Sequence, residues 1–555
     1  MRRRLTAFCV APVLVAALLT LQAAPPQSAA NAGAIRPEAI RAHMRFLADD
    51  LLEGRATGTR GYDLAAAYVA SQMEAFGLEP AGGDGTYFQQ VPLRRSFVVA
   101  EGCEGSILGP DGEKPLKMAE DFIVSSNPAE AEASVEAPVV FVGYGISAPK
   151  FGHDDYAGVD VKGKIVALMG GAPQSLPGTA RAHFSSGGQK ARTAAERGAV
   201  GIITLRAVEA DQRQPLSRMA RFLRAPATRW LDPSGRPNNT WPHMKATATF
   251  SGASSEALFA GAPMKLAEAM AAVREGKSKS FPLARGVRLK VTSRHEDLKS
   301  PNVAGLVRGS DPKLRDEYVV FTAHLDHVGI GREINGDSIY NGAVDNASGV
   351  AALLESARAW TALPQRPRRS MVFVAVTAEE VGLLGSDYYA NLPTVPAENI
   401  VANVNVDCIG AFYPLHDIVA LGGEHSTIGD VAARVGQQMG LALSADPMPE
   451  QNFFTRSDHY SFVRRGVPAM VCFAGLNSGD SDKSGDAIFR EWLRTIYHRP
   501  SDDIRQTYDF TAAARFTEFH FRVALEVAQA TERPSWKPGD FFGDTFGRRA
   551  ASQDQ

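Results

Sequence analysis

The chain of 555 residues is 45% hydrophobic and 22% charged, an ordinary globular composition that is too long for one compact core. A formal net charge of -2, with no basic run interleaved with aromatics, argues against a nucleic-acid surface and for a small partner. Four cysteines, one of them Cys9, make no disulfide framework and show no zinc-finger spacing.

The N-terminus, "MRRRLTAFCVAPVLVAALLTLQAA", has three arginines, an apolar run from Leu5 to Leu21 and small residues near Ala29 and Ala30. Residues 1–30 therefore read as a secretory signal that is removed, leaving a periplasmic or secreted protein off the membrane, with an uncleaved anchor as the alternative reading. From Pro37 to Glu79 two helical patterns flank "EGRATGTRG", with Gly77 placed to stop the second. From Ala137, "APVVFVGYGISAP" and "KGKIVALMGG" read as buried strands, and "GQKARTAAERGAVGIITL" reads as a helix running into another strand. That block carries no cluster of acids and histidines. After a Pro, Arg and Ser-rich passage, long alternation returns near Arg288 and ends in the helical "TAAARFTEFHFRVALEVAQAT". The tail past Pro534 is polar and reads as loose.

In this returning stretch, four strands are each followed by chemistry. "EYVVFTA" leads into His324, Leu325 and Asp326, "RSMVFVAV" into Glu379 and Glu380, "IVANVNV" into Asp407, and "AMVCFAG" opens the loop that reaches "YHRPSDD". Asp345 stands before a helix in "YNGAVDNASGVAALLESARAW". Taken alone, the adjacent glutamates fit the first turn of a helix, whose dipole favours carboxylates. Taken together, the candidates share one rim, the carboxyl edge where open α/β sheets bind ligands.

His324, Asp345, Glu380, Asp407 and His498 are two imidazoles and three carboxylates, a donor set suited to Zn²⁺, with Mn²⁺ or Co²⁺ as possible substitutes. Five side chains exceed one tetrahedral site and fit two ions if one carboxylate bridges them. Glu380 then binds metal, and Glu379 remains free as the base that deprotonates the attacking water. Asp326 is spaced to accept the second N–H of His324 and orient the ring. Cys408 and Cys472, in or after buried strands, read as core thiols. The remaining histidines, chiefly His327, His425 and His459, read as surface or supporting groups.

The motifs "HLDH", "NGAVDNASG", "TAEEVGLLGS", "NVD", "SDHYSF…GVPA" and "YHRPSDD" resemble the di-zinc exopeptidases, which include secreted bacterial zinc aminopeptidases and, more distantly, glutamate carboxypeptidase and the transferrin receptor ectodomain. The resemblance implies His324 and Asp407 on one zinc, Glu380 and His498 on the other, Asp345 bridging, Glu379 as general base, and Tyr497 placed to help polarise the scissile carbonyl. It also implies an α/β fold with a mixed, mostly parallel central sheet flanked by helices, and an inserted β-rich protease-associated domain suggested by "FVGYGISAPKFGHDDYAGVDVKGKIVALMGG". The insert is expected to split the peptidase domain into an N-terminal segment at 36–134 and a C-terminal segment at 285–535, itself occupying 135–280, with a polar tail at 536–555. The expected activity is removal of N-terminal residues from peptides. Glutamate-specific carboxypeptidase action, glutaminyl cyclisation and a non-catalytic binding ectodomain stand as alternatives, and "HExxH" and "GxSxG" are absent.

Overall fold

The structure, a computed structural model, describes residues 34–220, 225–277, 279–480 and 484–547. The expected signal lies outside these. Among the described residues no helix is long and apolar enough to cross a membrane.

The main strands of the central sheet are β1 (Phe88–Val98), β2 (Ala227–Trp230), β3 (Phe281–Val307), β4 (Tyr318–His324), β5 (Ser370–Val376), β6 (Ile400–Val406), β7 (Asp417–Leu421), β8 (Ala442–Ser444) and β9 (Ala469–Ala474). Their spatial order is β2-β1-β3-β5-β4-β6-β9-β7-β8. The four central strands β5, β4, β6 and β9 are mutually parallel, which explains why they read as continuous apolar runs. In β4, Val319, Phe321 and Ala323 face one core and Val320 faces the other, and β5 repeats the pattern with Met371, Phe373 and Ala375 against Val372, Val374 and Val376. The first core is closed by α1 (Pro37–Leu47), α2 (Arg60–Ala75) and α3 (Gly349–Thr361) together with the later helix Phe510–Gln529. The second is closed by α4 (Leu384–Asn391) and the last helix, Phe541–Phe546, while α5 (Thr427–Met439) packs on α6 (Phe510–Gln529) beside the first core; the last helix is α7. The architecture is thus the mixed, mostly parallel α/β sheet expected.

A second sheet holds Glu104–Gly109, Glu132–Phe141, Ile165–Leu168, Gly201–Thr204 and Ala246–Phe250, with its own apolar cluster. That cluster also takes in Cys103, Ile107, Phe122 and Val124, and Val287 to Val291 at its other end, beyond the 135–280 boundaries read from the sequence. The two sheets share β3, whose first half pairs with Glu132–Phe141 and whose second half pairs with β1 and β5.

The polar tail corrects the sequence reading. Phe542 is fully buried, and Trp536, Phe541 and Phe546 pack against the same core, while Asp540 caps α7 through the N–H groups of Phe542 and Gly543. Four aromatics scattered among Lys, Gly and Asp outweigh the polar average. His425 Nδ1 meets Asp540 Oδ2 at 2.6 Å. Burial lowers the His425 imidazole, but Asp540 and Glu424 outweigh it and hold it at about 9. A folded-state value above the unfolded one gives stability that is full below the unfolded value, ~6.5, and fades as pH rises through the folded one. Thermal unfolding of the wild type should therefore weaken between about pH 6.5 and 9.5 by roughly 1–3 kcal/mol more than that of His425→Gln. Parallel curves for the two proteins would rule this pair out as a clamp.

Candidate metal centre

Because β4, β5, β6 and β9 run parallel, their carboxyl ends open on one edge, and register sets who meets whom. His324 lies level with Val376, and Thr322 with Asn405, so Asp407 comes level with His324. His324 Nε2 is 3.3 Å from Asp407 Oδ1 and 3.2 Å from Asp345 Oδ1. The other Asp345 oxygen faces a second group, with Oδ2 at 3.0 Å from His498 Nε2, which itself is 3.1 Å from Glu380 Oε2. Asp345 thus straddles two clusters, one oxygen in each.

His327, read from the sequence as a supporting histidine, belongs to the second cluster. Its Nδ1 is 2.7 Å from Glu380 Oε1 and 3.8 Å from Asp345 Oδ2. These contacts are close yet lack hydrogen-bond geometry, and His327 Nδ1, Asp345 Oδ2, Glu380 Oε1 and His498 Nε2 are buried without partners. Atoms aimed at a common point rather than at one another are what a shared cation would satisfy. The first group, His324, Asp407 and Asp345 Oδ1, could hold one divalent ion, with Glu379 also offering an oxygen close to His324 and Asp407, and the second, Asp345 Oδ2, Glu380, His498 and His327, another. Imidazole and carboxylate donors fit zinc.

Glu379 and Glu380 are not in a helix. The turn after β5 passes through Ala378 and Leu383, both at positive φ, and α4 begins only at Leu384. This sends the neighbours into different surroundings. Burial pushes the Glu379 carboxyl well above its usual range, with the charges of Glu380, Asp407 and Asp458 adding to it against His324. Burial works the same way on Glu380, but His327 and His498 outweigh it and hold that carboxyl at about 2. Two carboxyls with opposed tendencies are the pattern of one free base and one ionised ligand.

The supporting shell differs from expectation at Asp326. It is the backbone carbonyl of Asp326, at 3.0 Å, that takes the His324 Nδ1–H. The carboxylate turns away and accepts the backbone N–H groups of Glu379 at 3.1 Å and Glu380 at 3.3 Å, with Thr57 Oγ1–H at 3.0 Å. Asp326 therefore positions the glutamate turn. Asp326→Asn leaves one acceptor oxygen for donors that now use two, so turnover should fall about 10–100-fold with metal content unchanged. Full activity in that variant would remove Asp326 from the positioning role.

Two supports had no local signal. Arg55, in the "EGRATGTRG" loop, is 1% exposed. It donates to the carbonyls of Leu47, Leu325, Asn341 and Gly342, tying the His324 and Asp345 loops together. Asp502 of "YHRPSDD" accepts the N–H groups of Val344 and Asp345, each at 3.0 Å. Gly342 between them has φ of 60°, and a Cβ there would strike the Asp345 carbonyl and the His327 ring. Asp407 Oδ2 accepts from Ser457 Oγ at 2.6 Å. Tyr497 stacks on the His498 ring with centroids 3.9 Å apart and lines the same recess as His324 and Glu379. Cys408, read as a core thiol, is instead half-buried on that recess beside Asp345 and Asp407, whereas Cys472 is fully buried. All eight candidates from the sequence thus lie in one locality.

Residues 302–524 match peptidase family M28. The chain is 37% identical over 134 residues to the aminopeptidase NAALADL1 of Mus musculus, covering 23% of this chain and 16% of that one. It is 28% identical over 242 residues to leupeptin-inactivating enzyme 1 of Streptomyces exfoliatus, covering 43% and 50%. Its matches thus span between about a sixth and a half of the lengths of these relatives. Among solved structures, an aminopeptidase from Aneurinibacillus sp. strain AM-1 aligns over 94% of this chain and all of its own, at 19% identity and a TM-score of 0.49.

Proposed function

We propose that this chain, whose residues 302–524 match peptidase family M28, is an exported di-zinc aminopeptidase that removes N-terminal residues from peptides. The observation that carries the reading is Asp345, one oxygen in each of two donor clusters. Its relatives above are named as an aminopeptidase and a leupeptin-inactivating enzyme, and the first name supports the substrate class.

His324 and Asp407 would hold one ion, Glu380 and His498 the other, with Asp345 shared and His327 beside the second. When bound, the ions supply Lewis-acid polarisation of the scissile carbonyl and a lowered pKa for water. Glu379 takes a proton from the attacking water as its oxygen bonds to the carbonyl carbon. The same carboxyl then returns that proton to the leaving nitrogen as the C–N bond breaks. Tyr497 offers a hydroxyl toward the oxygen that gains charge. Phe453, Phe473, Phe489 and Trp492, beside Cys408, form an apolar recess for the side chain of the residue released.

The second sheet and its core are read as a protease-associated domain inserted into the peptidase, roughly at 135–280. Its loops reach the catalytic cleft, since Ser186, Asn238 and Trp241 line the same cavity as Glu379 and His498, as does Arg229 of the central strand β2.

Metal analysis combined with identification of free amino acids released from amino- and carboxy-terminally varied peptides tests the reading. About two zinc ions per chain with N-terminal release supports it. Release from the carboxyl end, cyclisation of an N-terminal glutamine, or a zinc-free protein without hydrolysis would each replace it with one alternative.

A further inference from the structure

The cleft of about 450 Å³ is lined by Glu379, Glu380 and His498 of the candidate metal centre together with Arg229, Asn238 and Trp241. In β2 the pattern alternates, with Thr228 and Trp230 buried and Arg229 only partly so. Trp230 fixes the strand by donating Nε1–H to Asp387 Oδ2 at 2.7 Å. Asp387 belongs to α4, which follows the glutamate turn, so β2 is held against the catalytic rim.

Arg229 itself is left without a counter-charge. Its Nη1 donates to the neighbouring Thr228 carbonyl at 2.8 Å, its Nε is shielded from water with no acceptor, and no carboxylate among the described residues is within ion-pair reach. Burial draws its pKa below the ordinary arginine value. The acids along the cleft are already engaged. Asp387 takes Arg464 at 2.7 Å as well as Trp230 and Asn238, and Glu379 and Glu380 belong to the metal centre. A second cleft arginine, Arg456, lies over the Phe453 ring and reaches only the Gln451 carbonyl, at 3.4 Å.

A shielded, unpaired guanidinium is unfavourable alone and becomes favourable when a planar anion completes it. Its fork of donors matches a carboxylate. We infer that Arg229 binds a carboxylate of the peptide substrate, so that the enzyme selects short peptides whose free C-terminus reaches across the cleft. This rests on the peptidase reading, and an acidic side chain following the cleaved residue offers the same chemistry from a second source.

The test gives the zinc-loaded protein, R229Q and R229K the peptides Leu-Ala, Leu-Ala-amide, Leu-Asp-amide and Leu-Asn-amide, and follows leucine release. The wild type should favour Leu-Ala over its amide by about 10–100-fold in kcat/KM, mostly through KM, the usual worth of a charge-assisted hydrogen bond. R229Q should bring that ratio close to one, and R229K should keep some of it. A preference for Leu-Asp-amide over Leu-Asn-amide that depends on Arg229 would assign the site to acidic side chains instead. Equal rates in the wild type, or a preference that survives in R229Q, would overturn the inference. Calorimetric binding to the E379Q protein separates this from the peptidase reading. Tighter binding of Leu-Ala than of its amide, with no hydrolysis by the zinc-loaded wild type, would keep the carboxylate site and remove the peptidase. Equal binding, or none, would remove the carboxylate site.

Discussion

Glu379→Gln should lower turnover by about 10²–10⁴-fold, the usual worth of general acid–base catalysis, while leaving metal content and peptide binding intact. The substitution keeps shape and hydrogen-bonding capacity and removes only the ability to hold a proton. Its neighbour supplies the control. Glu380 is held ionised by His327 and His498, so Glu380→Gln replaces a charged donor by a neutral amide, weakens one ion and should regain activity with added zinc. Steady-state rates and metal analysis on both variants check this. If Glu379→Gln lost metal and Glu380→Gln kept it, the two roles would be exchanged. If neither slowed hydrolysis, the metallopeptidase reading would fail.

Asp345→Ala should strip both ions at once, because its two oxygens face separate clusters, and activity should fall below detection. His498→Ala should cost only one. His498 touches Asp345 and Glu380, not His324 or Asp407, leaving the first cluster its donors. Metal per chain after dialysis, read together with turnover, distinguishes the cases. Equal loss from both variants would mean that the clusters act as one site, and zinc retained in His498→Ala at two per chain would exclude that residue as a ligand.

What was legible in the sequence was whatever is written locally. Apolar runs buried on both faces marked β4, β5, β6 and β9, and parallel strands deliver whatever follows them to one edge. His324, Glu379, Glu380 and Asp407 were therefore found without contacts. Arg55 could not be found that way, since its partners are carbonyls at positions 47, 325, 341 and 342 and a backbone acceptor leaves no mark in residue type. Asp326 was placed in the right locality with the wrong bond, because spacing from His324 cannot say whether carbonyl or carboxylate faces the ring. His327 was passed over for a related reason: three residues past β4, its direction depends on the Gly342 turn that packs against it. The tail misled through average polarity, since burial is decided by where Trp536, Phe541 and Phe542 point.

The shared strand β3 has a consequence for the order in which the molecule folds. Its second half pairs with β1, Ser293 opposite Val98 and Val303 opposite Phe88, across about two hundred residues of intervening chain. Closing so long a loop costs slowly growing entropy and delays the contacts that would reward it. The block from β4 to β9 is far more local and can assemble first. A chain midway to its native state would hold the rim that carries His324, Glu379, Glu380 and Asp407 before β2, with Arg229 on it, has joined β1. Selectivity for a substrate carboxylate would thus be the last property of the cleft to appear during refolding and the first lost when the β1–β3 seam opens.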